Sequence, residues 1–264
     1  MAAGNRARPR ESIWLSGGPT RRKSGEQPAG LDLDRIVDAT VRLLDAEGAQ
    51  GFSMRRLAAE LGVTAMSVYW YVDSKDQLLE LAVDAVCAEI ELPSDTGGEG
   101  ADWRAQLRHL ANAYRRMLMT HQWMPRMLSE YLNVGPRALE FSNATLRVMQ
   151  HCGLPAESVT GALSSLFQFV FGFATIQGAH EARCREAGVD LDEHHHMVLQ
   201  ALQDSGEQRF QETRRLQGPV LERYEALSYQ RMREVEWDFA LDLQIAGIEA
   251  MRDRLAGGPG PTPG

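Results

Sequence analysis

The chain has few cysteines, no long unbroken apolar run and a deficit of positive charge, and each shortage narrows what it can be. Cysteine occurs at three positions, Cys87, Cys152 and Cys184. Their spacing matches no metal-ligand pattern, so the expectation is reduced thiols in a cytoplasm rather than a disulfide framework. The longest apolar stretch, around residues 163–176, is broken by Ser164, Ser165, Gln168 and Gly172. It is shorter than the roughly 20 residues of a membrane helix, so a buried core helix is expected and no membrane partner. The Arg-rich start has no apolar segment of the kind that a secretory signal needs. No P-loop, dinucleotide glycine pattern, nucleophile elbow or HExxH occurs, so neither an enzyme nor a cofactor is expected. The triplet His194, His195, His196 invites a metal reading. Adjacent helical side chains point about 100° apart, however, so the three cannot face one ion, and no metal site is expected from them.

The net charge is −8, which is unfavourable for a nucleic-acid partner taken as a whole. Its distribution is uneven. Residues 1–30 carry six basic side chains against Glu11 and Glu26, a local net of +4, which leaves −12 for the rest. A nucleic acid feels the field within about 8–10 Å, not the total. This opening stretch is rich in Gly, Pro, Arg and Ser without sustained periodicity, and it reads as a disordered basic arm. The arm could follow phosphates or enter a minor groove, or it could be a passive tail. Ile13, Trp14 and Leu15 form an apolar island in it that could dock on the folded body.

What the chain does contain is concentrated in residues 52–75, FSMRRLAAELGVTAMSVYWYVDSK. Ser53 suits a helix N-cap. Met54, Leu57, Ala58 and Leu61 recur at helical spacing, and Gly62 can end that helix in left-handed backbone. Thr64 can cap a second helix reaching about Tyr71, with Val68 and Val72 turned inward and Ala65, Met66, Ser67 and Tyr69 to Tyr71 outward. Two short helices with a tight turn, the second offering small, hydroxyl and aromatic side chains to the outside, predict a helix-turn-helix that reads the DNA major groove. The alternative is a helix-turn-helix serving only structure.

The segment AAELGVTAMSVYWYVDSKDQLL resembles the DNA-binding signature of the tetracycline-repressor (TetR) family of bacterial transcriptional regulators. The resemblance is strong over residues 31–90 and weaker beyond. It implies an all-α fold: an N-terminal three-helix DNA-binding domain over residues 31–80, then a helical effector-binding and dimerisation domain over 81–256 and a disordered tail over 257–264. Carried over by alignment, DNA contact falls on Ser53 and Arg55 at the start of the second helix. It falls also on Thr64, Ala65, Met66, Ser67, Tyr69, Trp70 and Tyr71 along the recognition helix, and on Lys75 at the start of the next. Arg55 could pair with guanine, Thr64 and Ser67 with a base or a phosphate, and Ala65 and Met66 with a thymine methyl. Tyr69, Tyr71 and Lys75 suit phosphates. Arg55 could equally be a solvated charge, and Trp70 a core anchor.

A helical stripe over residues 31–48, from Leu33 to Leu44, precedes this motif, and Gly48 stops it. A connecting helix over 75–91 follows, then a turn-rich loop over 92–100. Helices are expected over residues 102–121, 122–132, 137–151, 156–182 and 229–255, with a polar, solvated segment over 183–216. The resemblance implies a homodimer joined through the helices running from Ala156 to Ala182 and from Tyr229 to Leu255. Near the expected centre of the body, aromatic, methionine and amide side chains gather. Trp103, Tyr114, Met117, Trp123, Met127 and Tyr131 precede Phe141, and Phe167, Phe171 and Gln177 follow on the apolar helix. They suit the wall of a pocket for a bulky hydrophobic ligand, although aromatic stripes at helical spacing are commonly plain core. His121, Asn143 and His180 are its polar candidates. In the tetracycline-binding subgroup, histidines stand at the end of the connecting helix and ahead of the restart at Gly135. The segments here, CAEIELP and MLSEYLNVGP, have none, so tetracycline is not the expected ligand. The expected protein is a homodimeric repressor released from operator DNA by a small hydrophobic or aromatic effector. Two alternatives remain open: a DNA-bound dimer with no effector, and a helical small-molecule carrier.

Overall fold

A computed structural model describes residues 12–18, 31–94, 102–204 and 208–257. Every regular element among them is a helix. The chain forms two compact units, Met1–His151 and Cys152–Gly264. The first unit extends beyond residue 80 because the connecting helix packs with helices on both sides of that point.

In the first unit the helices are α1 (Leu33–Gly51), α2 (Met54–Glu60), α3 (Ala65–Val68), α4 (Lys75–Cys87), α5 (Trp103–Thr120), α6 (Met124–Glu130) and α7 (Pro136–Gln150). Five of them open on a side-chain cap, α5 through Asp102, which accepts from the Arg104 amide at 3.0 Å. Asp32, Ser53, Thr64 and Ser74 each accept an amide hydrogen bond three residues on, which satisfies a donor the helix itself cannot. Gly48 leaves helical backbone at φ 67°, so α1 proper stops where the sequence indicated, and Gly62 turns the chain between α2 and α3 at φ 68°. The core of the head comes from Ile36, Leu44, Leu57, Val68 and Leu78, none more than 1% exposed. The connecting helix is shorter than expected: after Cys87 it tightens into a turn in which Ala88, Glu89 and Ile90 bond back three residues.

Helix α4 packs on α1, α6 and α7. Its buried Asp84 accepts hydrogen bonds from the Arg137 and Ala138 amides, both at 3.0 Å, at the start of α7. Its buried Glu80 accepts from Ser12 Oγ at 2.6 Å and from the Ile13 amide at 3.1 Å. Residues 12–18, within the arm expected to lack structure, thus form a turn anchored on α4, and Ile13 is 2% exposed. The apolar island docks through that one side chain, while Leu15 stays outside. The rest of the arm and of the C-terminal tail lies outside the described residues.

The second unit holds α8 (Ala156–Ala187), α9 (Leu191–Asp204), α10 (Gln208–Glu225) and α11 (Tyr229–Ala256). Helix α8 runs five residues past its expected end, to the left-handed Gly188. The polar stretch after it forms α9 and α10 rather than irregular chain. On α8, Leu166, Val170, Ala174, Gln177 and Gly178 recur at helical spacing and are buried. Phe169 and Phe173 pack on Trp237 of α11, with ring centroids 5.5 and 5.2 Å apart. By length and composition alone α8 is long and apolar enough to cross a membrane, a test that core helices also pass. What makes it so apolar is a second stripe, described below.

Candidate nucleic-acid interface and effector region

The helix-turn-helix presents a mixed surface. Arg55 and Thr64 are exposed, Met66 is 70% exposed and Trp70 43%. Tyr69 is also exposed, and Ala65 is half-buried. Trp70 is therefore not the core anchor. Val68 and Val72 do that work from the opposite side, as the spacing indicated.

Other expected contacts are engaged within the fold. The Thr64 hydroxyl accepts from the Ser67 amide at 3.2 Å and lies 2.9 Å from Ser67 Oγ. The Thr64 hydroxyl thus caps α3, with the Ser67 hydroxyl beside it. Ser53 likewise caps α2 by accepting from the Arg56 amide. Tyr71 donates its hydroxyl to the Leu31 carbonyl at 2.5 Å. Lys75 Nζ donates to the Phe52 carbonyl at 2.8 Å and sits 5.1 Å from the centre of the Phe52 ring. Tyr71 and Lys75 therefore lace the recognition segment to both ends of α1. The recognition helix itself is one turn long, continued to Tyr71 by backbone turns rather than a full helix. Arg56, which the sequence reading passed over, is exposed but paired with Glu47 of α1.

The expected ligand-wall residues divide between the two units. In the first, Trp123 donates Nε1–H to Asp45 at 2.7 Å, and Tyr131 donates to Asp76 at 2.7 Å. These two tie α6 and its entry to α1 and α4, and Met117 and Met127 are buried beside them in sequence. Trp103 is buried under the Arg104 guanidinium, 4.7 Å from the ring centre. Tyr114 and Phe141 stand apart from this packing. Both are half-buried, and they stack at 5.4 Å with an 18° tilt between rings. Burial pushes the Tyr114 phenol up, so it stays a neutral donor. In the second unit Phe167 and Phe171 are half-buried on α8, and Gln177 is buried with its amide donating to Glu181 at 2.8 Å.

The polar candidates also resolve. Asn143 is exposed. His121 is buried between two carboxylates, with Nδ1 2.7 Å from Asp45 and Nε2 2.9 Å from Glu89. Burial alone would lower its pKa. Hydrogen bonds and charge from Glu89 and Asp45 outweigh that and raise it. No sequence signal joins these three residues, because they lie 32 and 76 positions apart.

Two family models cover most of the chain. "Bacterial regulatory proteins, tetR family" matches residues 36–82, and "Tetracyclin repressor-like, C-terminal domain" matches residues 96–252. The chain belongs to the tetracycline-repressor family. It is a helix-turn-helix regulator of transcription, and these models part near residue 80 even though the compact units part later. The HTH-type transcriptional repressor DrrR1 of Streptomyces coeruleorubidus is 35% identical over 187 residues, 71% of this chain and 67% of that protein. The class C tetracycline repressor of Escherichia coli is 30% identical, over 61% of this chain and 72% of that protein. Among solved structures, the Streptomyces coelicolor TetR family protein ActR in complex with actinorhodin is 28% identical. It superposes with a TM-score of 0.67 over 84% of this chain and 97% of its own. Family members bind operator DNA, dimerise and respond to small molecules, and the present regulator shares the two domains that do so.

Proposed function

We propose that this regulator is a cytoplasmic homodimeric repressor, and that a planar aromatic effector releases it from a near-palindromic operator. It acts by binding, without a catalytic group. The observation that carries the reading is the exposed face of Arg55, Met66, Tyr69 and Trp70 on a helix-turn-helix whose Tyr71 and Lys75 are tied to the fold. Large apolar side chains left in water have a cost unless a partner covers them. Here Arg55 suits a guanine edge and Met66 a thymine methyl, while Trp70 and Tyr69 suit the sugar–phosphate wall of the groove.

The dimer is assigned to α8 and α11. Ile176 is 70% and Phe239 71% exposed in the single chain, and Leu163, Phe167 and Phe171 are only half-buried. A groove of about 590 Å³ runs between the two helices, lined by Leu154, Ala162, Leu243, Ile248 and Met251 among others. Covering this stripe with the same stripe of a second copy gives a four-helix interface. Two heads so joined would enter successive major grooves about 34–36 Å apart.

For the effector, the Tyr114–Phe141 stack supplies an aromatic face and a neutral phenol donor. A fused-ring ligand with a few carbonyl or hydroxyl groups fits that chemistry, and the ActR relative is solved with actinorhodin. Tetracycline fits less well, since the segments that would supply histidine to its metal contain none.

The test is selection of bound sequences from random duplex DNA by the purified protein, then titration of the selected site at two salt concentrations. A palindromic site with a steep salt slope, released by aromatic polyketide-like compounds, supports the reading. A folded dimer that enriches no site removes it.

A further inference from the structure

Helices α8 and α9 bring together three metal-ligating side chains, one of them the pocket candidate His180, outside the DNA and effector contacts proposed above. His180 and Cys184 stand four residues apart on α8, which places them on one helical face. The chain then reverses. Gly188 takes left-handed backbone at φ 66°, and the Gly188 and Val189 amides return to the Arg185 and Cys184 carbonyls at 3.1 and 2.9 Å. Asp190 restarts the helix, its carboxylate accepting from the Asp192 and Glu193 amides at 2.9 and 3.0 Å. Helix α9 packs back on α8, and its first turn delivers His194 to the face carrying His180 and Cys184.

The result is compact. The His180 and His194 ring centroids are 5.3 Å apart, and Cys184 Sγ lies 3.8 Å from His180 Nε2. One donor atom from each of the three residues lies within 4.8 Å of the others. A tetrahedral ion with bonds of about 2.3 Å to sulfur and about 2.0 Å to nitrogen holds its ligand atoms about 3.3–3.5 Å apart. The cluster is therefore within about 1.5 Å of that arrangement, a closure of the kind that side-chain rotation supplies.

Cys184 is 5% exposed. Tyr229 packs on His180 at 5.2 Å between ring centroids, and on His195 at 6.1 Å. His195 Nε2 is buried with no hydrogen-bond partner among the described residues.

We propose that His180, Cys184 and His194 form a binding site for one Zn²⁺-class cation, with two imidazoles, one thiolate and an open fourth position. Binding forms the metal–sulfur bond as the thiol proton leaves to solvent. The site clamps the start of α9 onto the end of α8. Mg²⁺ and Ca²⁺ do not suit it, because the set contains no oxygen ligand. The site differs from the histidine triplet considered in the sequence. His194 contributes alone, and its partners come from α8.

The experiment is Co²⁺ titration of the reduced, metal-stripped full-length protein, followed by Zn²⁺ competition. The expected result is one Co²⁺ per chain with a thiolate-to-cobalt charge-transfer band, bleached by equimolar Zn²⁺ and untouched by Mg²⁺. Cys184→Ser abolishes the band, and His180→Ala and His194→Ala each weaken Co²⁺ binding at least tenfold. Cys184 is buried and its replacement could unfold the unit, so a second readout uses the unaltered chain. Zn²⁺ should slow alkylation of Cys184, mapped by mass spectrometry, while leaving Cys87 and Cys152 unchanged. Absence of the band at saturating Co²⁺, its persistence in a folded Cys184→Ser protein, or equal alkylation of Cys184 with and without Zn²⁺ overturns the proposal.

Discussion

Tyr71 illustrates how one hydroxyl changes role once the chain is folded. As a recognition-helix aromatic it suits a phosphate, but in the structure it donates to the Leu31 carbonyl. Tyr71→Phe leaves that carbonyl without its partner and should cost about 1 kcal/mol, read as a fall of a few degrees in Tm. The salt slope of operator binding should stay unchanged, since no phosphate contact is lost; a slope reduced by about one would return Tyr71 to the DNA. His121 gives a second prediction. Its folded pKa lies above its unfolded value, so its contribution to stability is fully present below the unfolded pKa of about 6.5 and is lost as pH rises through the folded value. Thermal melts should show stability falling from pH 6 towards pH 8, and His121→Gln should flatten that dependence.

At the scale of elements, α4 is the member on which the head, the N-terminal turn and the start of α7 converge. Its grip on α7 depends on a glycine. A Cβ at Gly135 would lie 2.1 Å from Asp84 Oδ1, so no side chain fits while the carboxylate holds the Arg137 and Ala138 amides. Gly135→Ala should therefore destabilise the protein by about 1–3 kcal/mol, as overpacking does. Denaturant unfolding measures it, and an unchanged midpoint would mean that Asp84 does not hold α7. Because burial has already raised the Asp84 pKa, Asp84→Asn tests the charge separately. The amide keeps an acceptor for the two backbone donors, so its effect on stability should be smaller than that of Gly135→Ala.

The whole molecule presents an unfinished surface. Phe239 of α11 and Ile176 of α8 are exposed in the single chain, and the occupant proposed for them is a second copy. Phe239→Glu places two carboxylates in the proposed interface and should shift the protein from dimer to monomer by light scattering. Operator affinity should then fall at least tenfold, because each head binds alone. A dimer of unchanged strength would move the interface elsewhere.

Much of this was legible in the chain itself. Helix starts followed from Ser53 and Thr64, and stops from Gly48 and Gly62, because capping and left-handed backbone are local chemistry within a few residues. The helix-turn-helix, and the split of Val68 and Val72 from Met66 and Trp70, followed from periodicity for the same reason. The sequence likewise determined that α8 has more apolar surface than one neighbour can cover. Partnerships across long separations were not legible: Ser12 with Glu80, Asp84 with the start of α7, His121 between Asp45 and Glu89, and His180 and Cys184 with His194. Nor was the recruitment of Tyr71 and Lys75 into the fold. Each of those side chains can bond a base, a phosphate or a backbone group equally well, and only the packing of α1 against the turn decides which partner is within 3 Å or so.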